Sequence, residues 1–166
     1  GSPGLPVNHF GVQAEKAALD RGVGSQYPAA AGVPELKHEA SRFVKAFINT
    51  DIAPKHCIPT CGAMQGTFAA FLLCSQLDPK KNTILYIDPG FPVQKMQAQV
   101  MGVKTESFDV FEYRAEKLGP KLESYFSKGN ICCVVFSNPN NPSWMCLNRS
   151  RSTCLPGKHG RCGICG

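Results

Sequence analysis

Two uninterrupted apolar runs, residues 83–87 (Thr-Ile-Leu-Tyr-Ile) and 131–136 (Ile-Cys-Cys-Val-Val-Phe), constrain this chain more than any other feature. A strand with one face in water alternates apolar and polar residues, whereas a strand apolar at every position is covered on both faces, as in a parallel sheet flanked by helices. Each run stops abruptly, at Asp88-Pro89-Gly90 and at Ser137-Asn138-Pro139-Asn140-Asn141-Pro142. Parallel neighbours need a crossover connection, and the intervening sequence has the spacing to supply it. Residues 92–101 suit a helix ended by Gly102, and 104–108 suit a third strand. Residues 115–128 place Leu118, Leu122, Tyr125 and Phe126 on one helical face, with Pro120 leaving the position of the first turn open.

Upstream, a helix is expected over 10–20, ended by Gly22, followed by a loop punctuated by glycine and proline. From Pro34 onward, Leu36, Ala40, Phe43, Val44 and Phe47 recur at helical spacing, with proline well placed in the first turn. Residues 57–60 read as a short extended piece, and an apolar helix runs from there to about residue 77. The stretch 57–77 carries no charge, yet Pro59, Thr60, Gly62, Gln65 and Gln76 make it a poor membrane span, so it reads as a buried loop and helix. Helices alternating with continuous apolar strands give an α/β fold with a mostly parallel sheet. There is no internal repeat.

The 166 residues are 43% hydrophobic and 18% charged, a globular composition sufficient for a domain with a core. No basic start followed by an apolar run marks a secretion signal. The nine cysteines are odd in number and scattered through apolar contexts, which fits reduced thiols in a cytoplasmic protein rather than a disulfide framework. Residues 148–166 hold Arg149, Arg151, Lys158 and Arg161 with no acid, so the first 147 residues carry only +2 of the +6 net charge. That leaves little reason to expect a nucleic acid partner.

Ligand sites in α/β sheets form in the loops after the carboxyl ends of strands. Three such loops are chemically suggestive. Gly62-Ala63-Met64, at the start of an apolar helix, would let backbone N–H groups and the positive helix end approach a phosphate, or it is plain turn chemistry. Phe91, just beyond a strand end, either stacks on a planar ligand or staples the next helix to the sheet. Asn138-Pro139-Asn140-Asn141-Pro142 is a doubly restrained turn able to aim an amide at a ligand, with one X-Pro bond a candidate for cis.

Taken in order, these segments resemble the class I/II aminotransferases, the fold-type I pyridoxal-phosphate enzymes related to aspartate aminotransferase. The resemblance covers roughly residues 8–147 and rests on Tyr27-Pro28, on Gly32-Val33-Pro34-Glu35-Leu36-Lys37, on Thr60-Cys61-Gly62-Ala63-Met64-Gln65-Gly66, on Asp88-Pro89-Gly90-Phe91-Pro92 and on Asn138-Pro139-Asn140-Asn141-Pro142, at the family's spacing. It implies part of a three-layer αβα large domain, with pyridoxal 5'-phosphate as cofactor and an amino acid and a 2-oxo acid as substrates. By position, Gly62, Ala63 and Met64 match the loop that holds the cofactor phosphate, and Phe91 matches the aromatic stacked on the pyridine ring. Asn141 matches the asparagine that bonds the ring hydroxyl oxygen, and Asn141-Pro142 is then the expected cis bond. Tyr27 matches a tyrosine that reaches the neighbouring subunit's phosphate, which implies a homodimer. Carbon–sulfur lyases and elimination enzymes of the same fold type share these motifs.

The sequence departs from the family pattern in two places. Ser143-Trp144 stands where the family has a small residue and then glycine. The family's second half has no counterpart here: neither the Schiff-base lysine in its usual context, nor the aspartate for the pyridine nitrogen, nor the arginine for the substrate carboxylate. No catalytic residue is therefore assigned, and residues 1–147 read as the N-terminal part of a large domain that does not transaminate alone. In residues 148–166, Cys154, His159, Cys162 and Cys165 have zinc-ligand character. Against a zinc module, 148–152 can be written in codons that, shifted by one base, read Thr-Glu-Ala-Glu, the residue type that opens the family's next helix. This end is expected to be frameshifted or artificial.

Overall fold

The computed structural model describes residues 4–146 together with the backbone of a short strand at Ile164–Cys165. It divides into two compact units, Gly1–Pro59 and Thr60–Gly166.

In the first unit, α1 (His9–Asp20) begins where the Asn8 side chain accepts the N–H groups of Phe10 and Gly11 at 2.9 and 3.3 Å. Gly22, at φ 78°, turns the chain out of it. α2 (Pro34–Ile48) starts with proline in the first turn and ends at Asn49 in the left-handed region. Gly32 holds φ 89° beside Pro59, where an added Cβ would lie 2.5 Å from the proline ring, so only glycine fits. The Ser41 hydroxyl donates to the Ile52 carbonyl at 2.5 Å. The apolar face expected for α2 is present, but Leu36, Phe43 and Phe47 remain exposed, and no described residue up to position 59 is buried. Residues 57–60, after a 3-10 turn at Pro54–His56, join no sheet.

The second unit is a parallel sheet between helices. Strands β1 (Thr83–Asp88), β2 (Lys104–Asp109), β3 (Ile131–Val135) and β4 (Ile164–Cys165) lie in the order β2-β1-β3-β4, all pairs parallel. α4 (Pro92–Val100) connects β1 to β2, and α5 (Leu118–Phe126) connects β2 to β3. α3 (Ala63–Leu77) precedes β1. Leu85 and Ile87 join Phe108, Val134 and the α5 residues Leu118, Leu122 and Tyr125 on one face. Ile84 and Tyr86 join Phe71 of α3, Ala98 of α4, Cys133 and Val135 on the other. The parallel sheet is the one expected from the apolar runs, and its helices on both faces are the αβα layering that the resemblance implies. Cys132 falls where the β1–β3 register shifts, between the pairs Thr83–Ile131 and Ile84–Cys133, and its thiol donates to the Thr83 carbonyl at 3.2 Å.

Two expectations need correction. The helix read over 115–128 is a 3-10 turn at Ala115–Lys117 followed by α5, which puts Pro120 third in the helix, where its missing N–H has no intrahelical acceptor to lose. The uncharged helix α3 is not buried: only Thr67 and Phe71 are, while Met64, Phe68, Leu72, Leu73 and Leu77 are exposed. It is apolar all round, and the sheet covers one of its sides.

Candidate active site

α3 begins without a side-chain cap. Its N-cap is Gly62, at φ 87° and ψ 167°, and a Cβ added there would meet nothing within 4 Å. Only glycine adopts that backbone at low cost. The amides of Ala63, Met64 and Gln65 occupy the first turn, where no intrahelical carbonyl reaches them, so they point outward at the positive end of a 15-residue helix. On the other side of the turn, Thr60 Oγ1 donates to the Gly62 carbonyl at 3.0 Å, and the Cys61 N–H donates to Gln65 Oε1 at 2.5 Å. The loop is held by its own side chains while its first-turn donors stay available.

Phe91 is the N-cap of α4, just past the carboxyl end of β1, and the residue is 43% exposed. Its placement is fixed from below. The Tyr86 hydroxyl donates to the Gln94 carbonyl at 3.0 Å, and Lys95 pairs with Asp88. Burial pushes the Tyr86 hydroxyl far above its ordinary range, so it stays a neutral donor. A cavity of about 400 Å³ opens at the carboxyl ends of β1 and β2, lined by Asp88, Gly90, Lys95, Asp109 and Phe111. None of the anticipated cofactor residues lines it, and the donor geometry at α3, rather than this cavity, marks the candidate site.

At the end of β3, Asn138-Pro139 and Asn141-Pro142 are both cis, as is Asp88-Pro89. Asn140 is the buried member of the turn. Its Oδ1 accepts from the Ser143 N–H and hydroxyl at 3.2 and 2.7 Å, its N–H donates to Met145, and its carbonyl accepts from Trp144. Asn141 donates its backbone N–H to Ser137 Oγ at 2.9 Å and keeps its side chain exposed. β1 and β3 are parallel neighbours, so Phe91 and Asn141 follow adjacent strands at the same, carboxyl end of the sheet. The sequence reading named Asn141 as a candidate but not Asn140, whose bonds to Ser143 close the turn.

A second pair went unread. Gln97 on α4 donates to the Met64 carbonyl and accepts from the Thr67 hydroxyl, both at 2.8 Å. Its partners lie 33 and 30 positions away, so no local pattern signals them. Tyr27, in the first unit, is fully exposed. Cys154, His159, Cys162 and Cys165 lie outside the residues whose side chains are described, and among the described residues no group of three or more His, Cys, Asp or Glu could hold a metal.

A family description, aminotransferase class I and II, matches residues 5–151. This chain belongs to that family. Like-sequence aminotransferases include an aspartate aminotransferase of Pyrococcus horikoshii, 31% identical over 138 residues, which cover 82% of this chain and 34% of that protein. An S-alkyl-thiohydroximate lyase of Arabidopsis thaliana is 25% identical over 79% of this chain and 28% of its own length. An aspartate aminotransferase of Rhizobium meliloti superimposes with a TM-score of 0.78 at 22% identity, covering 93% of this chain and 38% of that one, which bears on the fold alone. The chain thus spans about one third of the length of the curated relatives it matches. Among the described residues, no helix is long and apolar enough to cross a membrane.

Proposed function

We propose that this aminotransferase-family chain supplies the phosphate- and ring-holding part of a pyridoxal 5'-phosphate site, in an enzyme that moves an amino group between an amino acid and a 2-oxo acid. The observation that carries this reading is the uncapped, glycine-led start of α3, whose outward amides suit a dianionic phosphate. Ala63 and Met64 would take the phosphate, Phe91 would lie on the ring, and the Asn141 amide would donate to the ring oxygen. The cofactor, when bound, supplies the electron sink for bond breaking at the substrate's α-carbon. What these residues do is bind and orient it. No lysine of these 166 residues stands in the family's Schiff-base context, so the chain by itself is expected to bind without transaminating.

The fully exposed Tyr27 supports a homodimer in which this side chain serves a neighbouring subunit. The odd number of cysteines, scattered through apolar sequence, supports a reducing compartment, the cytoplasm. Equilibrium dialysis against pyridoxamine 5'-phosphate, which does not condense with lysine, tests the reading. Saturable binding displaced by millimolar phosphate and weakened by Phe91→Ala is expected. Absence of saturable binding overturns it.

A further inference from the structure

We infer that Gln97 is a positioning residue for this site, fixing the spacing between the anion-facing turn of α3 and the ring-facing start of α4. The inference rests on the cofactor reading above. The side chain is bidentate and its orientation is determined. The Met64 carbonyl can only accept, so the Gln97 atom 2.8 Å from it must be the donating Nε2, which leaves Oε1 to receive the Thr67 hydroxyl at 2.8 Å. The Thr67 hydroxyl has one proton and also lies 3.1 Å from the Met64 carbonyl; the shorter contact to Gln97 leaves that carbonyl for Nε2.

Both partners sit on the functional end of α3. Met64 is itself one of the anticipated phosphate contacts, and Thr67 is one turn further along and buried. The Met64 carbonyl belongs to the same peptide unit as the Gln65 N–H, a first-turn donor, so a hydrogen bond on the carbonyl polarises that N–H outward. On the other helix, Gln97 lies six residues from Phe91, about 9 Å along α4 at 1.5 Å per residue. α4 has only nine residues, so a tether in its second half fixes where its first residue sits. One amide thereby couples the two ends of a ligand that would carry its phosphate on α3 and its ring on Phe91.

Coupling of that kind has a signature that stability alone lacks. A ligand touching both anchors gains from their fixed separation, and a ligand touching one does not. Gln97→Leu is therefore expected to weaken pyridoxamine 5'-phosphate binding about tenfold while changing the affinities of pyridoxamine and of inorganic phosphate less than twofold, in dialysis well below the thermal midpoint. Thr67→Val should show the same split to a smaller extent, and Thr67→Ser, which keeps the hydroxyl, should bind as the parent chain does. The Thr67 pair carries the test if Gln97→Leu does not fold. Equal losses for all three ligands, or parental binding of pyridoxamine 5'-phosphate by both Gln97→Leu and Thr67→Val, overturn the inference and leave the cofactor reading standing. Failure of the parent chain to bind pyridoxamine 5'-phosphate removes both.

Discussion

Asn140 Oδ1 receives two hydrogen bonds from Ser143, one from its hydroxyl at 2.7 Å and one from its N–H at 3.2 Å, closing the turn that follows β3. Asn140 is 7% exposed, so its oxygen has little access to water if those donors go. Ser143→Ala is expected to cost about 1 kcal/mol, and Asn140→Ala about 2 kcal/mol because it also releases the buried turn. Urea unfolding of each variant measures this. Ser143→Ala at parental stability would show that the turn is held by other contacts.

Trp144 stands one residue further, at φ 57°, where the family pattern has glycine. A bulky L residue in the left-handed region costs about 1–2 kcal/mol, and Trp144 is 85% exposed, so it returns little by packing. Glycine would relieve the backbone but loses more entropy on folding, by roughly 0.5–1 kcal/mol. Trp144→Gly should accordingly raise stability by about 0.5–1 kcal/mol net, read as a shift in the urea midpoint at unchanged slope. A lower midpoint would show that the ring contributes through contacts outweighing its backbone cost.

The sheet was legible because burial on both faces leaves no polar alternation: residues 83–87 and 131–136 could be read as parallel strands directly, and they form β1 and, one residue shorter, β3. β2 was legible only from its place, since five of its six positions are not buried and its sequence, Lys-Thr-Glu-Ser-Phe-Asp, is an edge pattern. The expected burial of α3 failed for a reason of area. An all-apolar helix signals cover on every side, but periodicity cannot say whether the cover lies in the same 166 residues. Phe91 and Asn141 could be named through the resemblance, whereas Gln97, which ties α4 to α3, and Asn140, which closes the turn after β3, act through partners or turn geometry that the linear pattern does not display.

The edge strand β2 carries a pH dependence. Glu106 on β2 pairs with Lys128 at 2.5 Å, and the hydrogen bond from Lys128, aided by Asn130, holds its carboxyl below the usual value. A depressed carboxyl pKa stabilises the fold above the unfolded value near 4.5, and that contribution fades as pH falls through the lower native value. The pair is largely solvated, so its worth is about 0.5 kcal/mol or less. Lys128→Met should lower stability at pH 7 by that amount and converge with the parent at acid pH once Glu106 is protonated in both states, as urea titrations at neutral and acid pH would show. An undiminished difference at low pH would assign the loss to Lys128 packing over the Tyr125 ring instead.

Phe71 is the one fully buried large side chain of α3, edge-on to Tyr86 with ring centroids 6.2 Å apart. It anchors the helix whose first turn would face the phosphate. Phe71→Ala should cost about 3–5 kcal/mol, a large share of a domain's stability, while Leu73→Ala, at an exposed position of the same helix, should stay within about 0.5 kcal/mol. Thermal unfolding of the two variants side by side gives the contrast. Similar losses at both positions would mean that α3 is covered on its outer face in solution.

Gly62 separates the cost of a backbone from the cost of a clash. An added methyl group meets nothing within 4 Å, so steric crowding contributes nothing to Gly62→Ala. What remains is φ 87° with ψ 167°, a region essentially reserved for glycine, where another residue costs about 1–3 kcal/mol. The chain has two ways to respond. It can keep the turn and lose that stability, or relax the turn and rotate the Ala63 and Met64 amides away from their common outward direction. Relaxation spares the fold and removes the anion site, so Gly62→Ala should reduce the affinity for pyridoxamine 5'-phosphate more than tenfold with a thermal midpoint only slightly lowered. Affinity retained alongside a clear loss of stability would show that the turn is held rigidly by Thr60 and Gln65, and would place the phosphate donors on a loop that strain cannot move.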